Sequence, residues 1–174
     1  LSGQDAIVSA PNIFAGTTAM VSADIGHSLT LDANLIWSCQ TLREVSQLII
    51  KGSLTLQPGC EVEMTRGDVE GSITVLTGGD FTLLSKLEVT VLDKGEPVVG
   101  AIVSVDGAMS QTDDNGQVST SATARHVDDS SDTTGGMKTV ALQIDSFTDM
   151  ISWDSSTSLT HTFMASKLPI GTIN

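Results

Sequence analysis

The chain has no tyrosine, and aromatic residues make up only 3% of its 174 positions. A core without large rings must be assembled from Val, Ile, Leu, Thr and Ala, which suit a pleated, half-buried surface. Basic residues are also scarce: eight Lys and Arg stand against 21 Asp and Glu, for a net charge of −13. That balance speaks against nucleic acid and against an anionic membrane as partners, because both reward clustered Lys and Arg. It suits solubility in salty or calcium-rich surroundings, with most of the acidic side chains solvating the surface.

Long apolar runs are missing too. Stretches such as QLIIKG at 47–52 fall far short of the ~18 residues a spanning helix requires, so no membrane span is expected. Helical periodicity is nowhere sustained. The one helix candidate is QTLREVSQLII at 40–50, where Leu42, Val45 and Leu48 or Ile49 share a face, and it reads equally as a connection leading into a strand. The chain starts on Leu1 rather than Met, which is read as a mature form that has lost its leader or as an excised segment.

Only two cysteines occur, Cys39 and Cys60. Neither sits in a CxxC pair, and His27, His126 and His161 are scattered, so no zinc-type ligand set is legible. The cysteines are 21 residues apart, about one turn of a coil made of short strands, which would stack them on adjacent rungs. The preferred reading is a disulfide, and with it an oxidising, extracellular or cell-surface location. The other reading is a pair of buried free thiols.

What is present is short alternation broken by turns, which makes the chain all-β. HSLTLDAN at 27–34, GSLTLQPGCEVEM at 52–64 and GSITVLTGGDFTLL at 71–84 each place Ser before an apolar-Thr-apolar triplet. Leu29 and Leu31, Leu54 and Leu56, and Ile73 and Val75 then point to one face, and Thr30, Thr55 and Thr74 to the other. Taken on the triplets, the offsets are 25 and 19 residues. Pro58-Gly59 and Gly78-Gly79 supply tight corners. The pattern over residues 26–86 resembles a parallel β-helix, while a series of plain β-hairpins would give much of the same alternation.

The texture changes at Leu87. Val89 and Val91, then Ala101, Val103 and Val105, alternate with more polar neighbours, and Asp113, Asp114 and Asn115 before Gly116 form a turn signal. The string VTVLDKGEPVVGAIVSV followed by QTDDNGQV resembles the carboxypeptidase regulatory-like domains, small prealbumin-like β-sandwiches of secreted and surface proteins. The residues that carry the resemblance are Gly95, Pro97, Val98, Gly100, Ala101, Thr112, Asp113 and Gly116. Val118 and the polar STSATARHV depart from the large apolar residue usual after that turn, so the next strand is expected to be irregular or more exposed. The resemblance implies a non-catalytic stabilising or spacer role. Further strands are expected in KTVALQIDSF, through Val140, Leu142 and Ile144, and in SLTHTFMAS, through Leu159 and Phe163, with VDDSSDTTGG as an acidic loop.

The expected architecture is therefore a short β-helix-like (β-solenoid) part with an N-terminal strand or cap over 1–86, followed by an Ig-like β-sandwich over 87–174. Asp113, Asp114, Asp128, Asp129 and Asp132 are either turn residues or oxygen ligands for Ca²⁺, the one cofactor the sequence suggests. Trp37 and Trp153 are either core anchors or sugar-stacking platforms. No nucleophile elbow, HExxH or P-loop appears, so no enzymatic activity is expected.

Two function classes remain. The first is a non-catalytic extracellular structural subunit of a cell-surface assembly, including a fibre formed by strand addition between copies of itself. Its contact would lie in the N-terminal stretch, at Leu1, Ala6, Ile7, Val8, Ile13 and Phe14, because open β edges pair with other chains. The second is an adhesion module binding calcium or a surface glycan.

Overall fold

The computed structural model describes residues 6–16, 28–144 and 147–165. Those residues form strands β1 (Ala6–Ala15), β2 (Leu29–Trp37), β3 (Arg43–Ser46), β4 (Leu48–Ile50), β5 (Leu54–Leu56), β6 (Glu61–Thr65), β7 (Asp68–Val69), β8 (Ile73–Val75) and β9 (Asp80–Asp93). They continue with β10 (Glu96–Pro97), β11 (Ile102–Val105), β12 (Ala108–Gln111), β13 (Gln117–Asp128), β14 (Asp132–Thr134), β15 (Met137–Ile144), β16 (Phe147–Asp154) and β17 (Leu159–Met164). Two compact units result. One holds the described residues up to Ser85 together with Thr123–Gly135, and the other holds Lys86–Ala122 and the described residues from Gly136 on. The division thus falls at Ser85/Lys86, next to the expected one, but 123–135 returns to the first unit instead of staying with the second.

The first unit is a β-solenoid-like stack of about four coils. The coil strands β1 to β9 pair in parallel, and from β2 onward the register is constant: Leu29 pairs with Leu48, Leu35 with Leu54, Arg43 with Val62, Leu54 with Ile73 and Glu61 with Asp80, a step of 19 residues each time. The 25-residue offset expected from aligning the Ser-apolar-Thr triplets is therefore wrong. Leu29 stacks on Leu48 and not on Leu54, because the segment 40–50 contributes strands to its own coil. That segment is not a helix: it forms β3 and β4, and Gln47 between them takes a left-handed corner, φ 56°, which no helix interior accepts.

Constant register builds columns of like side chains. Inside the coil, Ile13, Leu35, Leu54 and Ile73 are successive register partners, as are Ala15, Trp37, Leu56 and Val75. Leu35, Trp37, Leu54 and Leu56 are fully buried. Neighbouring strands in a sheet lie about 4.8 Å apart, so each apolar residue meets its equivalent directly and one residue type can serve the same place in every coil. At the corners, polar groups stack in the same way. Asn34 accepts the Ser53 N–H at 2.9 Å through Oδ1, and Ser72 donates to Ser53 Oγ at 3.0 Å. Gly52 donates its N–H to Ala33 O at 3.1 Å, and a Cβ there would land on that carbonyl, which is why the corner carries glycine.

Cys39 and Cys60 are joined by a disulfide between successive coils, with Cα atoms 4.6 Å apart. The acidic stretch after β13 is not a loop. It turns through Asp128–Ser131 into β14, so that β13 and β14 form a hairpin with Arg125 paired to Thr134 and Val127 to Asp132. In the first unit β13 lies beside β9, at the end of the sheet ordered β14-β13-β9-β6-β3, and Val127 enters the coil's apolar core.

The second unit has a four-stranded antiparallel sheet, β12-β11-β15-β16, and a second group of strands in which β17 pairs parallel with β9 from Leu87 to Leu92. Val89 and Val91 of β9, Val103 of β11, Val140 and Leu142 of β15, Trp153 of β16 and Phe163 of β17 share one core. Thr112 is buried between the segments, accepting the Ala101 N–H at 2.9 Å and donating to Val98 O at 2.6 Å. Gly116 has φ 69°, and a Cβ there would crowd Val91 O. These contacts explain why Thr112 and Gly116 stand at the two ends of the Thr-Asp-x-x-Gly turn. The strand after that turn, β13, is regular over 12 residues. Its first half is only half-buried, as the polar sequence leads one to expect.

Candidate functional site

The longest edge strand of the coil among the described residues is β1, its first strand. β1 pairs with β2 along its length, from Ala6 with Leu29 to Ala15 with Trp37, and has no second partner strand among the described residues. Its ten residues, AIVSAPNIFA, include no charged side chain although the chain carries −13. Ile7 and Phe14 stand outward, each 74% exposed. Val8 and Ile13 turn inward against the core, so these two of the expected contact residues hold β1 to its own coil instead. Ala6 contributes backbone pairing with Leu29, and Leu1 lies outside the described residues.

Backbone direction follows from the coil's hydrogen bonds. Inward-facing residues bond toward the following coil: Leu35 N donates to Ser53 O at 2.8 Å, Lys51 N to Leu31 O at 2.9 Å, and Ser38 N to Ala15 O at 2.9 Å. Peptide groups alternate along a strand as side chains do. The N–H and C=O of the outward residues Ile7, Ser9, Asn12 and Phe14 therefore face the open edge. Ser9 and Asn12 lie outside the expected contact set. Their own side chains reach the next coil, Ser9 Oγ to Asp32 Oδ2 at 3.5 Å and Asn12 Oδ1 accepting from Asn34 Nδ2 at 3.3 Å.

The five aspartates expected as calcium ligands are not brought together. Asp113 and Asp114 belong to the second unit, and Asp128, Asp129 and Asp132 to the first. Asp113 Oδ1 accepts the N–H groups of Gln117 at 2.8 Å and Asn115 at 2.9 Å, and the Gln117 bond foremost lowers its pKa. Asp128 closes the hairpin turn by accepting from Ser130 N at 2.7 Å and Ser131 N at 2.6 Å, and from both serine hydroxyls. These bonds, led by that of the Ser130 amide, hold its carboxyl far below the usual range. Asp129 accepts the Gly78 N–H at 3.1 Å. Asp132 takes a two-pronged contact from Arg125, at 2.7 and 3.0 Å, and that contact lowers its pKa. Asp114 is exposed. Among the described residues no group of three or more His, Cys, Asp and Glu side chains converges on a metal position; Asp113 and Asp128 cap their turns, and Asp132 pairs with Arg125.

The histidines and tryptophans are accounted for in the same way. His126 contacts Thr82 Oγ1 at 3.2 Å through Nδ1, while its Nε2 lies 3.5 Å from Asp80 and 3.7 Å from Asp128. Those contacts tie the hairpin to β9 of the coil. His161 packs edge-on against Phe163, ring centres 4.6 Å apart. His27 lies outside the described residues. Trp37 and Trp153 are buried, and Trp153 donates to Thr157 O at 2.7 Å. Neither presents a stacking face.

A cleft of about 300 Å³ on the second unit is lined by Lys86, Glu88, Thr90, Asp113, Gln117 and Thr160 among others. Lys86 is paired to Glu88 at 2.6 Å and Asp113 is spent on its turn. No helix among the described residues is long and apolar enough to cross a membrane. No protein-family model matches the chain, and no curated protein matches it.

Proposed function

We propose that the chain is a non-catalytic structural subunit of an extracellular, cell-surface assembly, joined to its neighbours by pairing of strand edges and able through such contacts to contribute to a fibre. The observation that carries this reading is the open, uncharged, ten-residue edge of β1 at one end of the coil. Beyond β9 the hairpin β13–β14 continues the sheet, whereas a bare strand edge is a template for another chain.

The remaining features support the same reading. The Cys39–Cys60 bond fits an oxidising compartment. Asp113, Asp128, Asp129, Asp132, His126, His161, Trp37 and Trp153 are engaged in turns, side-chain contacts and core. A constant 19-residue register makes a regular, stiff element, suited to spacing and support, and the second unit would serve as the stabilising spacer that its resemblance implies.

Electron microscopy of the purified chain, negatively stained over a range of concentrations, tests the proposal. Discrete multi-subunit particles or filaments are expected. Single, unassociated particles at every concentration would contradict it.

A further inference from the structure

The sequence of β1 reads almost the same in both directions. About its midpoint, Ala6 matches Ala15, Ile7 matches Phe14, Val8 matches Ile13, and Ser9 matches Asn12. In a regular strand such a match would have no consequence, because residues whose numbers sum to an odd value face opposite sides of the sheet. Here it does have one. β1 carries a bulge between Ser9 and Asn12, where Ala10 and Pro11 stand against a single residue of β2: Ser9 pairs with Asp32 and Asn12 with Asn34. The extra residue resets the alternation. Ile7, Ser9, Asn12 and Phe14 all face outward, and Val8 and Ile13 both face the core.

We propose that the partner of this edge is a second copy of the chain, paired antiparallel through β1 about a two-fold axis at Ala10–Pro11. Ile7 would then stand opposite the partner's Phe14, and Ser9 opposite the partner's Asn12. The proposal rests on the strand-pairing assembly described above and specifies its register. The four outward residues are those whose N–H and C=O face the open edge, so the two opposed pairs and their symmetry equivalents exchange the ladder bonds of an antiparallel sheet. Pro11, which has no N–H to give, falls at the centre, where the bulges of both copies already interrupt the ladder. Each outward apolar residue meets an apolar residue and each polar one a polar one, and such cross-strand pairs favour the alignment.

Charge points to a copy of this strand as well. A neutral edge that meets itself brings no charge into the contact, although each chain bears −13 elsewhere. An isologous contact of this kind uses the same patch on both subunits and closes on itself, so a fibre would need a second, different contact. A ten-residue strand pair is at the small end of specific interfaces, and the dimer should therefore depend on concentration and strengthen as salt screens the rest of the surface.

Cysteine trapping in the full chain tests the register. The variant carrying both Ile7→Cys and Phe14→Cys should form a species of twice the 18.1 kDa chain mass on a non-reducing gel, with a peptide linking position 7 of one copy to position 14 of the other. Each single variant should stay at monomer mass, because neither position is opposite itself. Side chains seven residues apart on one strand are too distant to join within one chain. As a second arm, Ile7→Lys with Phe14→Lys should abolish the association seen by sedimentation while leaving the melting temperature of the dilute, monomeric chain unchanged. Association that persists in the lysine variant, or single variants that cross-link as well as the double, would overturn the β1 register and leave the assembly reading standing. Monomers throughout, in the unmodified chain included, would overturn both.

Discussion

Cys39 and Cys60 are bonded across two successive coils, although the coil repeats every 19 residues and they lie 21 apart. They are therefore not register partners, and the bond runs diagonally from the corner after β2 to the residue before β6. It closes a loop of that length at a point where the chain has no strand pairing. In the chain-entropy view, closing such a loop stabilises by about 3 kcal/mol. Mild reduction or Cys39→Ser with Cys60→Ser should lower the urea midpoint accordingly, while native mass spectrometry of the unmodified chain should find no alkylatable thiol. Two modifiable thiols in the native chain would refute the bond.

Leu54 is fully buried between its register partners Leu35 and Ile73. Truncation to alanine should leave a void that the stacked coils on either side cannot close, at a cost of about 2–5 kcal/mol. Met109, 72% exposed on β12, is the control: Met109→Ala should change stability by less than about 0.5 kcal/mol. Denaturant titration of the two variants decides the matter, and equal effects would show that the column of leucines is not the coil's core.

Asp113, Asp128 and Asp132 all have carboxyl pKa values lowered from the ordinary 3.8. A folded-state value below the unfolded one contributes stability that is complete above the unfolded pKa and is lost as pH falls through the folded one. With these groups, the melting temperature should hold from neutral pH down to about 5 and fall below about 4. Asp128→Asn should start from a lower melting temperature and lose less of it in acid, because its share of the titration is gone. Identical acid slopes for both proteins would rule out Asp128 as a stabilising cap of the hairpin turn.

Much of the coil was legible because its physics is local. The Leu54-Thr55-Leu56 alternation, the Pro58-Gly59 corner, whose Gly59 has φ 72°, and the Val62–Met64 strand each follow from neighbours in sequence. The register was not legible from the triplets, since Leu29-Thr30-Leu31 resembles Leu54-Thr55-Leu56 but pairs with Leu48-Ile49-Ile50. A search for the 19-residue step between Leu35, Leu54 and Ile73 would have found it. The return of Thr123–Gly135 to the first unit depends on Val127 finding the coil's core and on His126 and Asp129 finding Thr82 and Gly78. Such long-range contacts leave no periodic mark. The aspartates of that stretch looked like ligands because the same oxygens that bind cations also cap turns. At the candidate site, Ile7 and Phe14 could be read from their apolar character, whereas the roles of Ser9 and Asn12 needed the bulge to be seen.

The most direct test of subunit pairing is the mass of the intact chain in solution. Multi-angle light scattering over a wide concentration range, at low and at physiological salt, should give a mass above 18.1 kDa that rises with concentration and with salt, as expected when −13 chains meet through a neutral edge. A mass of 18.1 kDa at every concentration and salt level would contradict the account.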